Sequence, residues 1–222
     1  MTPERSANID RVLSLRQPDL AVVMEDIEDP HNAFAVMRTC DAVGVQDVYL
    51  INTGARKHKK FGKASSSSAT KWLTVHRFDS VEECMLVVKA RYSRVLASNF
   101  GNDAVPFQEV DFTQSVALAF SNERDGVSDK LLSYCDGTFV IPQVGMIQSL
   151  NISVACAVTL YEAKRQRMLK GFYDGTARLP ADELAVLREK WRLHRRQTDP
   201  KEYAPDVPAL TSRYSNKSVF LY

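Results

Sequence analysis

Residues 138–158 set polar side chains where a backbone could come close to a ligand. A short apolar strand, 138–141, runs into Pro142, whose φ is fixed and which cannot continue a sheet ladder. Gly145 permits a turn that a residue with a Cβ would resist. Ser149 and Asn151 then stand at the mouth of a helix built from Val154, Ala155, Cys156, Ala157, Val158 and Leu160, where they can cap orphan N–H groups. Strand, polar glycine loop and small-residue helix in succession are how a parallel sheet offers its carboxyl edge to a ligand. An ordinary capped crossover helix has the same pattern.

Two further segments carry chemistry. Residues 32–45 place one arginine, Arg38, in an otherwise apolar helix begun by Asn32. The bland alternative is a surface pair of Arg38 with Asp41 at i,i+3, worth roughly 0.2–0.5 kcal/mol. Residues 119–128 end a buried strand in the polar run Ser121, Asn122, Glu123, followed by Gly126 and Ser128. Here the alternative is a plain strand-to-helix turn with Ser128 as N-cap.

The elements that must position these residues alternate strand and helix. Apolar strands are expected at 20–24, 45–51, 73–78, 94–98, 116–120 and 138–141, the middle ones short and buried as in parallel sheets. Helices are expected at 32–43 with Asn32 as N-cap and Gly44 as the stop, and at 81–92, where Cys84, Leu86, Val87 and Val88 are apolar. Residues 127–134 form another. A last helix follows Pro180 and sets Leu184, Leu187 and Trp191 on one face. The class is α/β with a mainly parallel sheet flanked by helices. The domain reading is a basic helical extension at 1–19, a main domain at 20–175, and a C-terminal helix with an irregular, proline-containing tail at 176–222.

Composition narrows the partners. The chain has 222 residues and is 45% hydrophobic, enough for a sizeable core. No apolar run reaches the ~20 residues of a membrane span, and no signal peptide opens the chain. Cys40, Cys84, Cys135 and Cys156 form no Cys-x-x-Cys pair, so zinc and a disulfide scaffold are poor readings, no metal site is expected, and a reducing cytoplasm suits them. Net charge is only +2, yet basic residues cluster at 56–63 (including Lys57, Lys59 and Lys60), at 164–170 (including Arg165 and Arg167) and at 188–196. Single charge runs are usually solvated faces, but three of them point toward a polyanionic partner.

Taken in order, the three segments resemble the SpoU/TrmH family of RNA ribose 2′-O-methyltransferases, within the SPOUT superfamily. The first motif is met by Asn32, Arg38, Thr39, Ala42 and Gly44; the second by Phe120, Glu123, Gly126, Val127 and Ser128. The third is met by Ile141, Pro142, Gly145, Ser149, Leu150, Asn151, Ser153, Val154 and Ala155. The chain departs from the family pattern at Ser121, where glycine is usual, and at Gln143, where methionine is usual.

The resemblance implies a deep trefoil knot in the C-terminal part of the domain, a homodimer with its active site at the subunit interface, and S-adenosyl-L-methionine as cofactor. By that resemblance the cofactor lies against Ser98, Ser121, Asn122, Glu123, Ile141, Gly145 and Leu150. Arg38 acts on the ribose hydroxyl, and Asn32, Glu123, Ser149 and Asn151 order the site. A free guanidinium keeps its proton up to about pH 12, so Arg38 either has its proton affinity lowered or binds phosphate and stabilises the alkoxide. Arg165, Arg167, Lys57, Lys59 and Lys60 are the expected RNA contacts. The pattern is most similar to members that methylate a D-loop guanosine of tRNA in the cytoplasm. Another tRNA nucleotide, ribosomal RNA, a non-catalytic RNA-binding protein that kept the fold, and a flavodoxin-like nucleotide binder are the alternatives; the last lacks a Gly-rich phosphate loop.

Overall fold

The computed structural model describes residues 2–54, 68–101, 103–122 and 126–193. In chain order the elements are α1 (Pro3–Ser14), β1 (Leu20–Glu25), α2 (Pro30–Val43), β2 (Asp47–Ile51), β3 (Thr74–Phe78), α3 (Val81–Arg91), β4 (Arg94–Ser98), β5 (Val105–Pro106), β6 (Val116–Ser121), α4 (Asp129–Leu132), β7 (Gly137–Val140), α5 (Ile152–Leu169) and α6 (Ala181–Leu193). The seven strands form one parallel sheet in the order β3-β2-β1-β6-β4-β7-β5.

Helices cover both faces, which is why the central strands read as unbroken apolar runs. Along β1, Leu20, Val22 and Met24 pack with Val36, Met37 and Cys40 of α2 and with Cys156 and Leu160 of α5. The alternate residues Ala21 and Val23 pack on the other face with Cys84, Met85 and Val88 of α3 and Leu131 of α4. A satellite core joins the two ends of the described chain: Ile9 and Leu13 of α1 meet Leu179, Leu187 and Trp191, with Leu184 packed against them.

Three local expectations are corrected. The N-cap of α2 is Asp29, whose carboxylate accepts from the N–H of His31, with Pro30 preset for the first turn; Asn32 stands inside the helix. The helix expected at 127–134 is a single turn, Asp129–Leu132. On α3 the inward stripe is Val81, Cys84, Met85 and Val88 at i, i+3, i+4 and i+7, while Leu86 and Val87 face solvent. Gly44 does end α2: its φ is +87°, and a Cβ there would lie 2.6 Å from the Leu15 carbonyl oxygen.

The four cysteines are free. Among the described residues, no helix is long and apolar enough to cross a membrane.

Candidate active site

The carboxyl ends of β4, β6 and β7 lie side by side because the chain order of these strands is broken in the sheet, the usual place for a ligand crevice in an open α/β fold. A cavity of about 280 Å³ opens there. It is lined by apolar Phe120, Phe139, Ile141, Leu150 and Ile152 and by polar Ser98, Asn99, Ser121, Asn122, Gln143 and Ser149. Gly126 also lines it, with φ of +69°; a Cβ there would sit 3.4 Å from Asn99 Oδ1. That backbone conformation is one L side chains rarely adopt.

Of the cofactor residues expected from sequence, Ser98, Ser121, Asn122, Ile141 and Leu150 come together around this cavity, and Ser149 joins them. Gly145 lies in the exposed loop before α5, away from the lining. Glu123, Lys57, Lys59, Lys60 and the tail 198–222 lie outside the described residues. Sequence reasoning missed Asn99 and Phe100, which directly follow a buried strand, the signal that marked Ser98 itself.

Ser121 does not adopt a left-handed backbone. It ends β6 in extended backbone paired with Glu25, and its hydroxyl donates to the Glu25 carbonyl at 3.1 Å. Among the described residues Asp26 alone combines a side chain with positive φ, at 45°, and its carboxylate holds the N–H and hydroxyl of Thr53 at 2.9 and 2.6 Å.

A hydrogen bond joins the first and third motifs. Asn151 caps α5, its Oδ1 accepting from the Ser153 N–H at 2.9 Å, while its Nδ2 donates to Asn32 Oδ1 at 3.1 Å. Capping and bridging are thus performed by different atoms of one side chain. Asn151→Ser keeps a capping oxygen but loses the donor that reaches Asn32. Stability should stay near wild type, because exchange between good capping residues costs little. Catalytic efficiency should fall about tenfold, equal to roughly 1.4 kcal/mol of transition-state stabilisation. Melting temperature beside kcat/KM measures both.

Arg38 is exposed on α2 and does not line the cavity of its own chain. Its expected surface partner is taken: Asp41 binds the fully buried Arg16 at 2.6 Å, and Arg16 also donates to the carbonyls of Val45 and Trp72 and lies over the Trp191 ring. Arg38 is therefore left without a carboxylate partner among the described residues.

The two RNA candidates on α5 part company. Arg165 is half-exposed and paired with Glu162 at 2.7 Å, an arrangement that a phosphate could displace cheaply. Arg167 is corrected. It is fully buried, and its guanidinium donates to the carbonyls of Phe112, Asp19 and Gln114, to Gln17 Oε1 and to the Asp19 carboxylate. With every donor committed inside the fold, it cannot also reach an RNA backbone.

Comparisons with known proteins agree with this geometry. The SpoU rRNA methylase family matches residues 19–161. The tRNA (guanosine(18)-2′-O)-methyltransferase of Thermus thermophilus is 43% identical over 174 residues, covering 78% of this chain and 88% of its own. The crystal structure of the TrmH/SpoU tRNA modifying enzyme of Aquifex aeolicus superposes with a TM-score of 0.76 at 36% identity, covering 85% of this chain and 94% of that one. The SpoU methyltransferase AviRb from Streptomyces viridochromogenes, solved in complex with its cofactor AdoMet, superposes with a TM-score of 0.61 at 28% identity over 69% of this chain and 59% of that one.

Proposed function

The chain belongs to the SpoU rRNA methylase family, and from that membership we propose that it methylates the ribose 2′-hydroxyl of a D-loop guanosine in tRNA, using S-adenosyl-L-methionine. The observation that carries the reading is the cavity at the ends of β4, β6 and β7, which gathers the second and third motifs around one volume. It fits the cofactor chemically. The phenylalanine and aliphatic side chains suit a purine face, the hydroxyls and amides suit a ribose, and Gly126 lets backbone approach without a Cβ in the way. When bound, the cofactor supplies a sulfonium methyl, a group needing no further activation.

The residues of the chain then have two tasks, to bring a ribose oxygen into line and to help its proton leave. Ser98, Asn99, Ser121 and Asn122 hold the cofactor side. Arg38, an exposed cation lacking an internal carboxylate, binds the phosphate beside the target ribose and stabilises negative charge growing on its oxygen. The Asn32–Asn151 bond fixes α2 against the entrance of α5.

Because Arg38 does not line its own cavity, the proposal includes a homodimer in which the arginine of one copy serves the cavity of the other. The supporting surface is an exposed apolar stripe on α5, Val154, Val158 and Tyr161 at i, i+4 and i+7, beside the bare Val144, Met146 and Ile147 of the preceding loop. A charge in that stripe, Val158→Glu, should convert dimers to monomers in analytical ultracentrifugation and remove activity with them. An active monomer overturns this arrangement. Arg165, the basic residues of α1 and α6 and those at 56–63 form the proposed grip on tRNA. The reading also carries a deep trefoil knot in the C-terminal part of the domain; its support is the family membership.

The decisive experiment is methyl transfer to unmodified tRNA and ribosomal RNA transcripts, with the modified nucleotide mapped. A single 2′-O-methylguanosine in the D-loop is expected. Methylation of ribosomal RNA alone favours the other branch of the family, and failure to bind the cofactor favours a non-catalytic RNA-binding protein.

A further inference from the structure

The acidic run at the end of β1 reads in sequence as a charged loop, yet its first member is nearly fully buried. Glu25 is 2% exposed and lies between β2 and β6, opposite Ile51 and Ser121. Three hydrogen bonds converge on it from the second motif. Its main-chain carbonyl accepts the Ser121 hydroxyl at 3.1 Å. Its carboxylate accepts the Ser128 N–H at 3.0 Å on one oxygen and the Ser128 hydroxyl at 2.5 Å on the other. The Ser128 hydroxyl in turn accepts from the N–H of Leu131, capping α4.

The consequence is geometric. The segment between β6 and α4 leaves the sheet at Ser121 and rejoins the fold at Ser128, and both points are tied to the same residue of β1. Ser121, Asn122 and Gly126, the parts of this segment that line the cavity, lie between or at those ties. We propose that Glu25, with Ser121 and Ser128, forms a clip that presets the cavity-lining positions Ser121, Asn122 and Gly126 for S-adenosyl-L-methionine, making Glu25 a positioning residue for methyl transfer. The inference rests on the cofactor reading given above. It goes beyond that reading by assigning a role to a residue outside all three motifs and to the serine that replaces the usual glycine.

Lining positions already held in place bind a ligand without the ordering cost that free ones incur, so the clip acts on cofactor affinity. Its loss should raise the cofactor Kd and KM and leave the KM for tRNA alone. A generally weakened fold would disturb both substrates.

Three substitutions separate the ties. Ser121→Gly removes the hydroxyl that binds the Glu25 carbonyl. Ser128→Ala removes the hydroxyl bond to the carboxylate and the cap, and Ser128→Thr restores both. Glu25→Gln keeps the shape but replaces one accepting oxygen by a donor. The measurements are calorimetric titration of each variant with S-adenosyl-L-methionine, and Michaelis constants for that cofactor and for tRNA transcript. Glu25→Gln and Ser128→Ala are expected to raise the cofactor Kd about tenfold, roughly 1.4 kcal/mol, and Ser121→Gly about threefold. The KM for tRNA should stay within about twofold, and Ser128→Thr should recover most of the affinity. Unchanged cofactor affinity in Glu25→Gln and Ser128→Ala overturns the clip while the functional reading stands. A wild-type protein that does not bind S-adenosyl-L-methionine overturns the functional reading and the clip together.

Discussion

Replacing Arg38 by alanine should lower kcat by about 10²- to 10⁴-fold, the range for losing a group that handles the reacting oxygen, while the Kd for S-adenosyl-L-methionine stays near wild type. The separation is expected because Arg38 is exposed on α2 and the cavity is lined from β4, β6, β7 and their following loops. No core contact is lost with it, so the melting temperature should not move. The dimer proposal adds a sharper test. Mixing Arg38→Ala with a cavity-filling variant such as Ala155→Phe, each inactive alone, should restore about a quarter of wild-type activity, because half the dimers are mixed and one of their two sites is intact. Turnover of Arg38→Ala at the wild-type rate removes the arginine from the chemistry. Zero recovery in the mixture places Arg38 and the cavity in the same copy.

The central sheet was readable because strands covered on both faces spell continuous apolar words, and β1, β2, β4 and β6 differ from their expected bounds by two residues or fewer. Strand order was not readable. Nothing local to 94–98 or 137–140 says that β4 sits between β6 and β7, since that follows from which helices cover which edge. The two-residue β5 contains Pro106 and is an edge too short to leave a pattern. At the site, Ser98, Ser121, Asn122 and Ser149 were legible in the sequence, because small polar residues after a buried strand mark its carboxyl end, whereas Asn99 was not. Arg167 belongs to a basic run in the sequence, yet it lies on the buried side of α5. For Arg167 the signal was available: Leu160, Ala163 and Arg167 stand at i, i+3 and i+7 on the buried stripe of α5. Helical spacing outranks local charge density as a guide to whether a basic residue is free.

That correction leads to the largest expected change in stability. Arg167 and the partly exposed Arg178 converge on Asp19, at 2.6 Å and at 2.8 Å, and they share Gln17 Oε1. Arg178 also stacks over Phe172, 3.8 Å from the ring centre. The cluster ties the end of α5 and the segment after it to the start of β1. Arg167→Met leaves buried acceptors at Asp19, Phe112 and Gln114 without their donor, so it should cost about 3–5 kcal/mol, as breaking a buried pair by removing one partner does. For a chain of this length that is roughly 10 °C or more of melting temperature. Arg178→Met, with its guanidinium partly in water, should cost much less. Burial alone would push the Asp19 carboxyl up, but hydrogen bonds and attraction from Arg178 and Arg167 outweigh it and hold the group below its ordinary value. A carboxyl depressed in the folded state stabilises fully above its unfolded value, about pH 4, and that contribution is lost as pH falls through the lower folded value. Acid unfolding below about pH 4 should therefore be less steep in Asp19→Asn than in wild type. The melting curves also decide between the two readings of Arg167. If Arg167→Met melts like wild type and only weakens tRNA binding, the residue contacts RNA after all; if it melts early and the surviving folded fraction binds tRNA normally, its work is to hold α5 to the sheet.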